Sequence, residues 1–469
     1  MNSFSDIARL LVLNTDSYKT SHWLQYPPGT RHVFSYIEAR GGALSHTVFF
    51  GLQALLKEYF TRPVTLDDLA LAGEVCAAHG VPFNRDGWLH IVQAHGGRLP
   101  LRIRAVPEGT VAPVNHALVT VENTDPASGW LTSYVETALL RVWYPTTVAS
   151  QGLATRRLIG DALARTGDPA GLPFKLHDFG ARGVSSMESA MLGGMAHLVN
   201  FQGTDTMTAL LGARLYYGEP MAGFSIPAAE HSTITAWGRD GELAAYRNML
   251  RQFGKPGALL AVVSDSYDLD AAVSRLWGGA LRDEVIASGA TVVIRPDSGD
   301  PTNIVLRTVQ ALDASFGSDV NVKGCKVLRH VRVIQGDGIT HASIGSILAA
   351  LESAGYSADN VAFGQGGALL QQVNRDTMGF AMKASAVQVD GRWRDVFKAP
   401  VTDPAKRSKA GRLTLMRRGD VFATVRLDAP GYLEARSQGA TEVMRTVFED
   451  GRLLVDDSFA AIRARVTGG

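Results

Sequence analysis

Cysteine is almost absent from this sequence: Cys76 and Cys325 are the only two in 469 residues. Two thiols build neither a disulfide scaffold nor a cysteine-rich zinc site, so the expectation is a reducing, cytoplasmic setting. A charge excess is missing too. Lys+Arg 46 against Asp+Glu 45 leave a formal net charge of +1, which argues against a nucleic-acid coat or a polybasic membrane binder. No apolar run approaches the ~20 residues of a membrane span. The Leu10–Leu13 run is too short for a signal-peptide core. The phosphate-gripping signatures G-x-x-x-x-G-K-[ST] and helix-opening G-x-G-x-x-G do not occur, nor do the metal patterns H-E-x-x-H and C-x-x-C. A bound nucleotide would have to be held by other devices.

What is present suits a large folded protein. Hydrophobic residues make up 46% and charged residues 19%, enough for a sizeable core and too apolar for a mainly disordered chain. The length suggests two or three domains, or one with elaborations. The 49 glycines exceed the usual share of ~7%. The first ~135 residues read as an antiparallel sheet with helices: VFSYIEAR (33–40) alternates like a strand, 65–80 reads as a helix between Thr65 and Gly80, and 99–123 reads as strand, turn, strand, strand. Two helices follow, 130–144 and 148–166.

Beyond residue 136 one unit recurs: a short apolar run ending abruptly in polar or glycine residues. The runs are FKLHDFG, AGFSIPAAEHS, LLAVVSDSYD, ATVVIRPDSGD, VRVIQGDG, VAFGQGG and FAMKAS, with helix-like segments between several of them (242–254, 269–279, 343–355). Strand, polar end, helix, repeated, is the signature of a parallel sheet. About seven such ends suggest a closed barrel with its active site at the C-terminal strand ends. His177, Asp178, Glu230, His231, Asp265, Asp268, Arg295, Asp297, Asp337 and Lys383 collect there. After Ser385 strands and turns resume. The expected fold is therefore α/β: an irregular TIM-like (β/α) barrel (136–384) plus a discontinuous, mainly antiparallel sheet domain from residues 1–135 and 385–469.

Four constellations carry chemistry, each with a plainer reading beside it. The glycine-rich ends 335–338 and 363–367 let backbone N–H groups approach an anion, or simply turn the chain. His231, beside Glu230 and followed by Ser232 and Thr233, suits a base, a metal ligand or a phosphoryl acceptor, or a satisfied core histidine. SDSYD (264–268) and RPDSGD (295–300) set carboxylates beside hydroxyls and an arginine. They fit hydrated magnesium held through a polyphosphate, or a developing sugar cation. Asp265, Ser266 and Ser298 are equally ordinary helix caps. Finally, Arg375, Lys383, Lys398, Lys406, Arg407, Lys409 and Arg412 suit a small polyphosphate, or merely a solvated charged turn.

Nine segments in register then match a known pattern: TDSYKTSHW (15–23), KLHDFGARGVSS (175–186), GTDT (203–206), IPAAEHSTITAWG (226–238), VVSDSYD (262–268), VIRPDSG (293–299), RVIQGDG (332–338), AFGQGG (362–367) and DPAKRSKAGRL (403–413). They resemble the nicotinamide phosphoribosyltransferases, a type II phosphoribosyltransferase family, over nearly the whole chain. The connection 41–50 is shorter than the loop of animal members, and Ala181 stands where a Tyr is familiar.

The resemblance implies transfer of a phosphoribosyl group from 5-phosphoribosyl-1-pyrophosphate to nicotinamide in NAD salvage. It implies ATP hydrolysis coupled through a phosphohistidine and Mg2+ held mainly through phosphates and water. It also implies a homodimer with shared active sites, with neither nucleic acid nor membrane as partner. Carried over, His231 is the phosphoryl acceptor, and Asp265 and Asp297 flank the reacting centre. Phe179 and the partner subunit's Tyr18 sandwich the pyridine ring, Asp205 reads the carboxamide, and Arg295 lies beside the ring and phosphates. Asp16, Arg40, Arg182, Gly336, Asp337, Gly366, Gly367, Arg375, Lys383, Lys398 and Lys406 serve the phosphoribosyl, pyrophosphate or nucleotide region. Three rivals are a nicotinate phosphoribosyltransferase, a Schiff-base aldolase using Lys383, and a non-catalytic phosphate-binding protein.

Overall fold

The computed structural model describes residues 7, 9–402 and 407–468. The chain forms two compact units. The barrel unit comprises 151–214 and 220–373; the sheet unit comprises the N-terminal 150 residues, 215–219 and the chain from 374 onward. These boundaries fall at 150/151 and 373/374, where pattern alone had suggested 135/136 and 384/385.

The barrel unit is built on six parallel strands: β1 (Leu176–Asp178), β2 (Gly203–Thr204), β3 (Leu259–Val263), β4 (Thr291–Arg295), β5 (Val331–Gln335) and β6 (Val361–Gln365). Their order is β2-β1-β6-β5-β4-β3, and β2 and β3 are the two edges. The extended segment 224–229 joins both edges. Thr204 N–H donates to Phe224 O (3.0 Å), Ala229 N–H to Ala261 O (2.9 Å) and Ala261 N–H to Pro227 O (2.9 Å). The ring is thereby closed through single bridges at each edge. The AGFSIPAAEHS run thus acts as a stave through isolated bridges at Phe224 and Ala228 rather than as a regular strand. Pro227 within it has no N–H to give, so the segment cannot supply a full hydrogen-bond ladder.

Strands buried on both faces need near-continuous apolar sequence. Leu260, Val262, Val263, Val292, Ile294, Val331, Val333 and Phe363 are all fully buried. Helices Glu242–Phe253, Pro301–Phe316 and His341–Ser353 pack outside through Tyr246, Met249, Val305, Leu312, Ile344 and Leu351. Asp300 and Thr340 cap two of them by accepting from Asn303 N (2.9 Å) and Ser343 N (3.2 Å).

The sheet unit holds a seven-stranded sheet, in the order Arg392–Asp395, Phe380–Val389, Thr30–Ala39, Ala117–Asn123, Leu101–Ala105, Arg445–Glu449, Arg452–Leu453. Every pairing in it is antiparallel, and the C-terminal tail does rejoin the N-terminal strands. Two expectations need correction. FAMKAS is not the last barrel strand: it lies in Phe380–Val389 and pairs with Thr30–Ala39, with Lys383 opposite Tyr36. An isolated apolar run does not reveal which sheet it joins. VFSYIEAR is a strand as expected, central in the sheet and buried on both faces. The 130–144 helix is broken into Leu131–Tyr134 and Glu136–Leu140, and a long helix starts at Trp143 and runs to Thr166. Helix Leu66–His79 does run between the expected cap Thr65, which accepts from Asp68 N (3.2 Å), and Gly80 in the left-handed region.

Candidate active site

The C-terminal strand ends of the barrel enclose a cleft of about 490 Å3. Phe179, Ala181 and Arg182 line it from beyond β1, Asp205 from beyond β2, and Glu230, His231 and Ser232 from the 224–229 stave. Arg295 and Asp297 come from β4, Gly336 and Asp337 from β5, and Gly366 from β6. Parallel strands all deliver their C-terminal ends to one side, so residues far apart in sequence converge there.

At its centre Asp265, only 6% exposed, binds three groups. His231 Nε2–H donates to its Oδ1 (3.1 Å), and Asp297 N–H (3.1 Å) and Ser298 Oγ–H (2.6 Å) donate to its Oδ2. The imidazole is thereby oriented, and its Nδ1 lies 4.0 Å from Asp297 Oδ2. Arg295 Nη2 sits 3.5 Å from the same Asp297 oxygen, and Arg295 Nε is buried with no hydrogen-bond partner. The capping roles that competed for these acids belong to neighbours. Asp268 caps Leu269–Ala271 (Ala271 N to Oδ1, 3.0 Å), and Asp300 caps the helix after β4. Asp265 and Asp297 are therefore free for the cleft.

Phe179, Asp205 and Arg295 also line a second cavity of about 440 Å3. This one runs among the apolar residues Phe174, Phe224, Ile226, Val293 and Ile334, with Lys175 and Arg332 in its wall. The three shared residues mark the junction of an apolar channel with a polar cleft. Gly364 makes room for the ring there: a Cβ at this position would lie 1.9 Å from Phe179 Cε2. Phe179 N–H donates to Gln365 O (3.0 Å), and Gly180 N–H donates to the buried Asp178 (2.7 Å), fixing the turn that presents the ring. Burial, with Asp205 nearby, raises the Asp178 carboxyl above its usual range, and burial pulls the neighbouring His177 below its own. Ser225 Oγ–H donates to Asp205 Oδ1 (2.6 Å), leaving Oδ2 as the acceptor for a ligand.

Most of the remaining expected residues lie in the sheet unit. Asp16 Oδ2 accepts from Thr137 Oγ1 (2.7 Å) at the start of the turn that carries Tyr18, whose ring is 60% exposed. Arg40, Arg375, Lys383 and Lys398 gather together. Half-burial, partly offset by Glu136, and the three neighbouring cations pull the Lys383 ammonium below its usual range. Gly367 opens the short Gly367–Leu370 turn of the barrel unit, and Lys406 lies outside the described residues.

Comparison with known proteins now becomes decisive. Residues 174–452 match the family model for the nicotinate phosphoribosyltransferase (NAPRTase) family, and 10–103 match the nicotinamide phosphoribosyltransferase N-terminal domain. The chain belongs to this phosphoribosyltransferase family. The nicotinamide phosphoribosyltransferase of Xanthomonas campestris is 58% identical over 97% of both chains. That of Acinetobacter baylyi is 32% identical over 98% of this chain and 97% of its own. Among solved structures, nicotinate-nucleotide pyrophosphorylase from Pyrococcus furiosus aligns with a TM-score of 0.63 at 15% identity, covering 100% of this chain and 97% of that one. Human nicotinic acid phosphoribosyltransferase aligns at 0.52 and 16%, covering 97% and 92%. These two similarities establish the phosphoribosyltransferase fold.

Reading the sequence missed Ser225, the channel residues and the pair of the buried Lys19 Nζ with the partly exposed Glu136 (2.6 Å). Ser225 carried no motif of its own. The channel residues looked like ordinary core, because an inward-facing apolar side chain reads alike whether or not it borders a void.

Proposed function

We propose that this chain is a nicotinamide phosphoribosyltransferase, forming nicotinamide mononucleotide and pyrophosphate from nicotinamide and 5-phosphoribosyl-1-pyrophosphate. The observation that carries the reading is the junction: Phe179, Asp205 and Arg295 stand where an apolar slot meets an anion cleft. A pyridine ring needs the slot and a ribosyl pyrophosphate needs the cleft. Stacking on Phe179 points the ring nitrogen toward the sugar. Its lone pair forms the new bond to C1 as the C1–oxygen bond breaks, and that electron pair leaves with pyrophosphate. Positive charge developing on the ribose is met by Asp297 and Asp265. Arg182, Arg295 and the backbone N–H groups of the 336–338 and 366–367 ends take the phosphate oxygens.

Carboxylates, hydroxyls and backbone amides are the donor set here, with no cysteine and one imidazole. That suits Mg2+ held through phosphate oxygens and water, where it would screen the leaving pyrophosphate. With Nε2–H committed to Asp265, the lone pair of His231 is on Nδ1. That nitrogen accepts the γ-phosphoryl group of ATP as ADP leaves, and the added charge re-tunes the anion cleft. We read the enzyme as a homodimer in which the partner subunit's Tyr18 closes the second face of the slot; the exposed ring supports this. The cluster of Arg40, Arg375, Lys383 and Lys398 would hold phosphate groups of the same substrates. Two free cysteines suit a reducing, cytoplasmic setting.

Asp205 supports the amide over the acid. With Ser225 on Oδ1, the other oxygen accepts an amide N–H, whereas nicotinate would bring like charge and no donor. The expected result with Mg2+, sugar pyrophosphate and ATP is product from nicotinamide and not from nicotinate, with the preference reduced in Asp205→Ser. Equal use of both pyridines by the wild type would overturn the amide reading. Labelled ATP should leave an acid-labile, base-stable phosphate on the wild type and none on His231→Ala; label retained by the variant would remove His231 from that role.

A further inference from the structure

We propose that His90, His95 and Asp125 in the sheet unit form a binding site for one transition-metal ion of the Zn2+ class. His90 and His95 sit in the last turns of helix Arg85–His95. Five positions apart, their Cβ atoms point about 140° away from each other around the helix axis. Yet both rings bring Nε2 to the same oxygen, Asp125 Oδ2, at 2.6 and 2.7 Å. Among the described residues this is the only group of three His, Cys, Asp or Glu whose donor atoms lie so close, all within 4.8 Å of one another.

The carboxylate is held for the purpose. Its other oxygen, Oδ1, accepts from Ala127 N (2.9 Å), and the Asp125 backbone carbonyl accepts from Asn123 Nδ2 (2.7 Å) and Ser128 N (2.9 Å). The helix end is fixed as well. Gly96 stops the helix in the left-handed region (φ 58°), and a Cβ on Gly97 would lie 2.1 Å from Val64 O. Two anchored elements therefore offer two imidazole nitrogens and one carboxylate oxygen. The His90 side chain is 41% exposed, so an ion has a way in and water can take the fourth position.

Tetrahedral ligands around zinc stand ~3.3 Å apart, given bond lengths of ~2.0–2.1 Å. The two imidazole–carboxylate spacings of 2.6 and 2.7 Å have to open by roughly 0.6–0.7 Å, and the two imidazole nitrogens, within 4.8 Å of one another, have to settle at the same ~3.3 Å, movements within side-chain freedom. Each ring gives up the proton on Nε2 and carries one on Nδ1 instead, so two neutral imidazoles bind without a change in total protonation. One carboxylate leaves a dication with net charge +1. The C-terminal carbonyls of the helix, the negative end of its dipole, favour that charge. An N2O donor set suits Zn2+, Ni2+ or Co2+ and discriminates against Mg2+, which prefers six oxygens.

Titrating the full-length protein with ZnCl2 in excess Mg2+, followed by calorimetry and thermal melting, tests the site. One ion per chain at micromolar affinity or tighter is expected, together with a melting temperature raised by several degrees. Asp125→Asn should weaken binding at least tenfold, and His90→Ala/His95→Ala should abolish it. His95→Gln, which keeps a donor to the carboxylate, separates loss of metal from loss of fold. Co2+ should give visible bands in the wild type and not in that variant. Absence of binding in the wild type would show a plain hydrogen-bonded triad and overturn the proposal. Undiminished stoichiometry in the double variant, with the ion lodged elsewhere, would overturn it equally.

Discussion

The two units treat charge in opposite ways. In the barrel unit Asp265 is nearly buried, yet three of the four lone-pair directions of its carboxylate are taken, by His231, Asp297 N–H and Ser298. The acid is satisfied before any substrate arrives. In the sheet unit Arg40, Arg375 and Lys398 press on Lys383, with Glu136, itself paired to Lys19, and Asp376, paired to Arg375 (2.9 Å), as opposing charges. The difference teaches that the carboxylates are held in place by donors of the protein itself, while the cations repel one another with few acids to offset them. A net charge of +1 conceals this segregation entirely.

The contrast can be broken at three points. Asp265→Asn should have the largest effect, because it removes the anion while keeping a similar shape. We expect kcat to fall about 10²–10³-fold, as for loss of one preorganised electrostatic group, with little change in the KM for nicotinamide. A fall below fivefold in steady-state kinetics would mean that Asp265 only braces the loop.

Next comes Glu108, a buried acid of the sheet unit. It accepts from Gln53 N (2.6 Å) and Tyr217 OH (2.9 Å), and burial pushes its carboxyl up to about 7. A raised folded-state value means that the folded chain holds this proton more tightly. The contribution is complete below pH ~4.5 and is lost as pH rises toward about 7. It is on the order of 3 kcal/mol. Denaturant melts at pH 5 and pH 8 should therefore diverge in the wild type and converge in Glu108→Gln. An unchanged divergence would place the titrating group elsewhere.

The smallest effect belongs to Lys383→Met. Removing one of four mutually repelling cations should leave the melting temperature unchanged or higher, while the KM for the sugar pyrophosphate rises about tenfold, on the order of 1.4 kcal/mol. A lower melting temperature with an unaltered KM would make the cluster structural, and the contrast between the units would fail.

Much of the site was legible because its residues sit in short polar bursts at strand ends, where the apolar run must stop. PAAEHST, SDSYD and RPDSG stand out for that reason, and the structure brings His231, Asp265 and Asp297 within reach of one another. Less legible was which acids are caps: Asp268 and Asp300 differ from Asp265 and Asp297 by three residues in each case, a shift that only backbone geometry resolves. FAMKAS was misassigned because a parallel barrel strand and a central antiparallel strand are both buried on two faces and use the same apolar residues. The site's other half, Ser225 on Asp205 and the channel behind Phe179, had no local pattern at all.

By itself the sequence determined the family, the barrel's rhythm of strand and polar end, and the chemical types gathered at its mouth, because these are properties of neighbouring residues. Tertiary structure alone decided three things: that 224–229 closes the ring, that Lys383 belongs to the sheet unit, and that His90, His95 and Asp125 meet at one oxygen. Each depends on contacts between segments whose separation along the chain carries no signal, and the packing of whole elements, not local preference, sets them.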